Sequence, residues 1–125
     1  MNLEKVAFGF FIVLALTLNV AFVVGDTGSA EDHSIWLLFA AVVVNLVATV
    51  LKLGDRSQVG ALLLATALVA DLQLLTSALI WGFADTSAGL APATLVTIVS
   101  LASGALVANV VSVTLLVADS LISGR

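Results

Sequence analysis

Apolar residues dominate four stretches of the chain, and each stretch is long enough to cross a lipid bilayer. They are residues 6–24, 35–53, 59–83 and 94–122. An α-helix rises about 1.5 Å per residue, and the hydrocarbon core of a bilayer is about 30 Å thick. The pattern therefore predicts an all-α polytopic membrane protein, in which residues 1–125 form a single bundle of four transmembrane helices.

The polar segments between these stretches are short, and their charges are unevenly distributed. In a chain with four spans, all the basic residues fall on one side of the membrane: Lys5, Lys52, Arg56 and Arg125. The loops on the other side carry acidic residues and no Lys or Arg. Because basic loops stay in the cytoplasm, we expect both termini to be cytoplasmic and the protein to be a multi-pass protein of the bacterial inner membrane.

Composition excludes several classes of protein. Hydrophobic residues make up 62% of the 125 residues and charged residues 10%, which is too few charges to cover the surface of a soluble domain. The net charge of −4 offers no basic surface for nucleic acid. The chain has no cysteine, no phosphate-binding loop, no nucleophile–base pair and no spacing typical of metal ligands. We therefore expect no catalytic residues, metal or cofactor, and a protein that is not an enzyme.

Two segments of the chain resemble each other. Residues 41–55 can be aligned with residues 105–119, which places Asn45 over Asn109 and Asp55 over Asp119. One interpretation is a duplicated helical hairpin, repeated in parallel about an axis normal to the membrane. The alternative is that apolar helices resemble one another by composition alone.

The fourth helix carries small residues at every fourth position, at Ser100, Gly104, Ala108 and Ser112. Transmembrane helices pack most closely where small side chains let their backbones approach, so this stripe is the predicted helix-packing face. The first helix has several phenylalanines and no such stripe. We therefore expect it at the periphery of the bundle, facing lipid or another protein.

Each predicted helix also contains a strongly polar side chain, and these form the candidate ion or proton site: Asp71, Gln73, Asn19, Asn45 and Asn109. Acidic residues in the hydrocarbon region usually face a bundle interior or a water-filled cavity, and no Lys or Arg lies there to neutralise Asp71. In one hypothesis, Asp71 takes up and releases a proton or cation along a path of amides. In the other, a protonated Asp71 holds the helices together by a hydrogen bond.

Two further polar clusters lie at the ends of the predicted helices. His33 precedes the second helix, where we expect a helix cap or a solvated loop. Lys52, Asp55 and Arg56 form the turn between the second and third helices on the cytoplasmic side. This turn is either a solvated connection or a docking point for a partner's cytoplasmic domain.

The LKLGDR turn at residues 51–56 and the ADLQL segment at residues 70–74 resemble a family of small bacterial inner-membrane proteins of unknown function. The similarity spans nearly the whole chain and implies four membrane helices. The family has no assigned activity or catalytic residues, and the resemblance implies that its members accompany potassium-channel-type proteins. Small multidrug exporters are a poor match, since they carry a glutamate in the first helix and this chain has only Asn19 there.

Two functions fit these observations. The first is a non-enzymatic accessory or assembly subunit of a larger membrane complex, such as a potassium or other cation channel. The second is a homo-oligomeric ion channel, or an ion or proton-coupled transporter, that uses Asp71. Four helices are too few to enclose a wide pore, so conduction would need several copies.

Overall fold

The computed structural model describes residues 3–24, 33–84, 87 and 89–123, which form four helices. They are α1 (Leu3–Val23), α2 (Ile35–Lys52), α3 (Gln58–Phe83) and α4 (Pro92–Ser123). All four are long and apolar enough to cross a membrane, which confirms the predicted helical membrane fold. α1 begins before the apolar run does, and Glu4 in its first turn favours this earlier start because a negative charge stabilises a helix N-terminus.

The helices pack as a ring in chain order. α1 contacts α2, α2 contacts α3, α3 contacts α4, and α4 returns to α1. The expected peripheral position of α1 is therefore wrong: α1 has two helical neighbours, as each other helix does, and it buries Phe8, Ile12 and Phe22. Its large side chains fill the interior, so close packing here did not need a stripe of small residues.

The buried positions follow the spacing of a helical bundle. On α1 they are Phe8, Ile12, Ala15, Asn19 and Phe22, at alternating steps of four and three residues. The other helices repeat these steps, with adjacent buried pairs such as Val42 beside Ala41 that widen the face. This period of about 3.5 residues keeps one face of each helix towards its neighbours when the helices cross at shallow angles.

The outward faces of the helices are apolar. Trp36, Leu72, Phe83 and Val107 are all more than 60% exposed within the bundle. Exposed apolar side chains on all four helices are what a lipid-facing surface requires. The structure is therefore that of a multi-pass membrane protein in contact with the bilayer.

The bundle has two distinguishable ends. The start of α1, the end of α2, the start of α3 and the end of α4 meet at one end, which we name the Lys52 end. Lys5, Lys52, Asp55 and Asp119 line one cleft there. The opposite end contains His33 and is named the His33 end. The structure thus places Lys5 and Lys52 together, as the charge pattern predicted, whereas Arg125 lies outside the described residues.

Candidate functional site

Two separate apolar clusters fill the interior, one towards each end of the bundle. The cluster at the His33 end includes Phe22, Leu38, Val42, Leu74, Ile98 and Ala108. The cluster at the Lys52 end consists of Phe8, Ile12, Ala48 and Leu63, with partly buried neighbours that include Val113. The interior is therefore not one continuous apolar core.

Three buried asparagines lie between the two clusters. Asn19 falls between the cluster residues of α1, Asn45 between those of α2, and Asn109 between those of α4. All three asparagines are completely buried, and Thr49 and Asp71 are almost completely buried. We refer to these five residues as the polar belt. The structure thus brings together four of the five intramembrane polar residues singled out from the sequence and adds Thr49.

The amide of Asn19 pairs with the backbone of α4. In the amide orientation that pairs both of its polar atoms, Nδ2 donates to the Ala102 carbonyl at 3.0 Å, and Oδ1 accepts from the Leu106 N–H and from Asn109 Nδ2, each at 3.1 Å. Ala102 and Leu106 are four residues apart, so these are the carbonyl and N–H that face each other along a helix. The small, fully buried side chain of Ala102 suits such a close approach of α1 to α4.

Asp71 is connected to α2 through Thr49. The Thr49 hydroxyl lies within hydrogen-bonding reach of Asp71 Oδ2 and of the Asn45 carbonyl, the second at 2.9 Å. One turn earlier in α2, Asn45 Nδ2 donates to the Ala41 carbonyl at 3.3 Å. A hydroxyl has a single proton, so Thr49 can donate fully to only one of its two acceptors at a time. The Asp71 carboxyl therefore shares its hydrogen-bond donor, the Thr49 hydroxyl, with the Asn45 carbonyl.

Several buried oxygens in this region accept no hydrogen bond. Within the part of the chain that the structure describes, the buried side-chain atoms without a partner are Asn45 Oδ1, Asp71 Oδ1, Gln73 Oε1 and Asn109 Oδ1. In a lipid environment each unpaired polar atom carries a desolvation cost of several kcal/mol. These buried oxygens therefore have no hydrogen bond that offsets their desolvation.

Gln73 lies outside the belt, on the side of α3 that faces α4. A Cβ added to Gly104 would approach Gln73 Nε2 to 2.6 Å, so glycine at position 104 makes room for this amide. Gln73 and Gly104 line a groove of about 300 Å³ that opens towards the lipid. Ala65, Thr66, Val69, Val107, Ala108 and Val111 complete its walls.

The small-residue stripe of α4 is only partly inside the bundle. Gly104 and Ala108 line the groove, Ser112 is buried and meets the Thr66 hydroxyl at 2.5 Å, and Ser100 is exposed. Positions four residues apart drift by about 40° around a helix, so four such positions span about 120°. The stripe consequently turns away from α3 at its Ser100 end.

The turn at the Lys52 end is held by Asp55. Its Oδ1 accepts from the Ser57 N–H at 2.9 Å and the Ser57 hydroxyl at 2.8 Å, and its Oδ2 pairs with Lys52 Nζ at 3.2 Å. These donors, led by the Ser57 N–H, lower the pKa of Asp55 to about 2. Gly54, with φ of 89°, supplies the left-handed backbone that ends α2.

Other contacts fix this turn against α1 and α3. Lys52 Nζ also lies 4.5 Å from the centre of the Phe8 ring, a cation–π contact with α1. Ser57 is the N-cap of α3 and accepts from the Gly60 N–H at 2.9 Å. Arg56 is exposed. Lys52 and Asp55 therefore have structural partners, and Arg56 points to the surroundings.

His33 is neither the N-cap of α2 nor a solvated loop residue, so the expectation for the start of α2 is corrected. The N-cap of α2 is Ser34, and the His33 side chain is 3% exposed. Its Nδ1 lies 2.6 Å from the carbonyl of Phe22 in the last turn of α1, where helix carbonyls lack partners within the helix. Since a carbonyl only accepts, Nδ1 is the donor, and His33 closes the end of α1.

Among the described residues there is no group of three or more His, Cys, Asp or Glu side chains that could hold a metal ion. The oxygen atoms of the polar belt are the remaining candidate ligands. Thr49 is the belt residue that sequence reasoning did not single out as a site residue. Its spacing of four from Asn45 places both on one helix face and is the signal that could have identified it.

The fold and its buried belt define the class of this chain: a four-helix, multi-pass membrane protein with a polar interior. Comparison with protein families goes one step further. Residues 32–120 match DUF6394, a family of unknown function, and the chain belongs to that family. The match covers α2, α3 and most of α4 and leaves out α1. Neither the curated proteins nor the solved structures contain a match.

Proposed function

We propose that this protein is a non-enzymatic accessory or assembly subunit that packs, within the bilayer, against a larger membrane complex. The observation that carries the proposal is the α3–α4 groove, which faces lipid and has the polar side chain of Gln73 in its wall. Lipid tails offer no hydrogen-bond donor, whereas a neighbouring transmembrane helix can offer one.

The shape of the groove also fits a helix. Gly104, Ala65 and Ala108 are small, so a partner backbone can approach closely, and the exposed Val69 and Val107 provide apolar contact on both sides. Helix association in membranes relies on this combination of small residues, close packing and one or two polar contacts. The resemblance noted in the sequence supports a potassium or other cation channel as the partner.

The charge pattern supports a location in the bacterial inner membrane with both termini in the cytoplasm. Lys5, Lys52 and Arg56 lie at the Lys52 end of the bundle, where short connections carry basic residues. By the positive-inside rule, this end faces the cytoplasm in our proposal. The exposed Arg56 would then be available to a partner's cytoplasmic domain.

The decisive experiment is purification from native membranes in a mild detergent, followed by mass measurement of the intact complex. We expect a stoichiometric larger membrane protein to accompany the chain. Val69→Trp, which blocks the groove, should abolish most of this co-purification. Leu72→Trp is the matched control, because Leu72 is exposed on the same helix and does not line the groove.

A complex that contains only copies of this chain would contradict the accessory role. Equal loss of the partner with both tryptophan variants would contradict the groove as the docking surface. A homo-oligomer would favour the second candidate, an ion or proton-coupled transporter or channel built from several copies. That candidate is supported by Asp71, whose buried Oδ1 has no partner among the residues that the structure describes.

A further inference from the structure

A cleft of about 670 Å³ lies at the Lys52 end, where the first turn of α1 meets the end of α2 and the turn that follows it. We name it the α1–α2 cleft. Among the described residues, three basic and two acidic side chains line it, an excess of one positive charge: Lys5, Lys52, Arg56, Glu4 and Asp55. The cleft therefore suits a ligand that carries a negative charge.

The basic side chains of this cleft have different surroundings. Lys52 Nζ is 3.2 Å from Asp55 Oδ2, so these two charges largely balance each other. Arg56 is exposed at the edge of the cleft, one residue after Asp55. A guanidinium has five N–H donors in a planar fork that matches the oxygen atoms of a phosphate. Arg56 is therefore the side chain best placed to bind a phosphate group.

Apolar side chains form the other wall of the cleft. They are Val50, Leu51 and Leu53, of which Val50 is 63% and Leu53 is 61% exposed. Val50 and Leu51 also line an apolar groove of about 320 Å³ on the outer face of α2, which we name the α2 groove. Its remaining lining residues are Val43, Leu46 and Val47. Because the cleft and the groove share two residues, one continuous surface leads from the charged end of the bundle into the hydrocarbon region.

The length of the α2 groove matches one leaflet of a bilayer. Val43 and Leu51 are eight residues apart, which corresponds to about 12 Å along a helix that rises about 1.5 Å per residue. Half of a hydrocarbon core about 30 Å thick is about 15 Å. An acyl chain that starts at the α1–α2 cleft would therefore remain in contact with α2 through most of its leaflet.

We propose that the α1–α2 cleft binds the phosphate of an anionic phospholipid, with Arg56 as its main ligand, while an acyl chain of the same lipid lies in the α2 groove. Basic pockets at the membrane ends of helices attract anionic headgroups, and the adjoining apolar groove accounts for the tail. An acidic segment of a protein would match the charges of the cleft and would leave its apolar wall without a role.

This site does not depend on the accessory role. The lipid site is formed by α1, α2 and the turn after α2, whereas the proposed partner groove lies between α3 and α4. The lipid is tested on the purified chain, with no partner present. A failure of the lipid site would therefore leave the co-purification result unaffected, and the reverse also holds.

The first test measures the intact mass of the purified full-length chain in detergent with equal amounts of phosphatidylglycerol and phosphatidylcholine that have the same acyl chains. Both lipids carry a phosphate, but the choline ammonium cancels its charge. We expect phosphatidylglycerol to remain bound about fivefold more than phosphatidylcholine, which is the effect of one basic residue beside an anionic lipid. Equal retention of the two lipids would overturn the proposal, and this test needs no variant.

Two variants in one turn show whether charge is the cause. Arg56→Gln should lower the preference for phosphatidylglycerol about fivefold. Asp55→Asn removes an acidic side chain from the same cleft, so it should raise this preference. Damage to the turn itself would lower the preference in both variants, and that outcome would contradict the assignment.

A third pair of measurements tests the acyl chain. Val50→Trp fills the junction of the cleft and the groove and should reduce phosphatidylglycerol retention several-fold. Val117→Trp is the matched control, because Val117 is 52% exposed and lines neither surface. A large excess of inorganic phosphate should leave the lipid bound. Equal loss in both variants, or displacement by phosphate, would show that the acyl chain is not part of the site and would overturn the proposal.

Discussion

Asp55 and Asp71 are carboxylates separated by about half the length of α3, and their surroundings are opposite in character. Asp55 lies at the Lys52 end, where its side chain is 32% exposed and has three donors within 3.2 Å. Asp71 is 6% exposed, and among the described residues the Thr49 hydroxyl is its one hydrogen-bond partner. The more exposed carboxylate, Asp55, therefore has more hydrogen-bond partners within the protein than the buried carboxylate, Asp71.

This difference separates a structural acid from a candidate functional one. The partners of Asp55 are its own turn, so its charge orders the connection between α2 and α3. A buried carboxylate placed for stability alone would be expected to have both oxygens paired, because an unpaired one is costly. Asp71 leaves one buried oxygen without a partner among the described residues, so its placement is not explained by stability alone.

The contrast between Asp55 and Asp71 is tested most strongly by removing the Thr49 hydroxyl, which is the hydrogen-bond partner of Asp71 among the described residues. Thr49→Val keeps the shape of the side chain and deletes its hydroxyl, which leaves the carboxyl with no donor. We expect the free energy of unfolding to fall by about 1–2 kcal/mol, measured by denaturant titration in detergent. Thr76→Val is the control, since the Thr76 hydroxyl bonds only the Leu72 carbonyl of its own helix. A similar loss in both variants would mean that Asp71 gains nothing from Thr49.

The second test disturbs the better-paired acid. A Cβ at Gly60 would overlap the Asp55 carboxyl, so Gly60→Ala should displace it from Ser57 and lower the free energy of unfolding by about 1 kcal/mol. Gly82→Ala in the same helix meets nothing within 4 Å and should be neutral or stabilising by up to about 1 kcal/mol. Combining Gly60→Ala with Asp55→Ala should cancel most of the cost, and a fully additive double variant would refute the clash.

The smallest effect is the pH dependence of Asp55. Its pKa in the folded chain is about 2, against an ordinary value of 3.8, so its stabilising contribution is complete above pH 3.8 and is lost as the pH falls from 3.8 towards 2. The difference in unfolding temperature between the wild type and Asp55→Asn should therefore shrink across this range. Asp71 is present in both proteins, so any contribution it makes to the unfolding temperature largely cancels in this difference. A difference that is constant down to pH 2 would show that the charge of Asp55 does not matter.

Much of the fold could be predicted because a membrane helix has a strict length and an apolar composition. The predicted spans differ from α2 and α3 by a single residue at one end of each. α4 begins two residues before the predicted span, at Pro92, whose missing N–H costs nothing in the first turn of a helix. The domain assignment, the parallel repeat and the membrane orientation remain predictions.

The details of the site were harder to predict, because they depend on how the helices align. Asp71 and Gln73 are two residues apart, which separates them by about 200° around α3, so one enters the belt and the other lines the groove. The role of His33 depends on α1 ending beside it. The pairing of the Asn19 amide with the backbone of α4 also depends on how these two helices align, which composition does not predict.

The contact between Asn19 and α4 joins the first transmembrane segment to the last. During synthesis α1 enters the membrane well before α4, and until α4 arrives the amide of Asn19 lacks the backbone groups it will pair with. Until then α1 carries an unpaired amide in the hydrocarbon region, which has a cost in free energy. The last helix to be synthesised is therefore the one that completes the hydrogen bonding of the first.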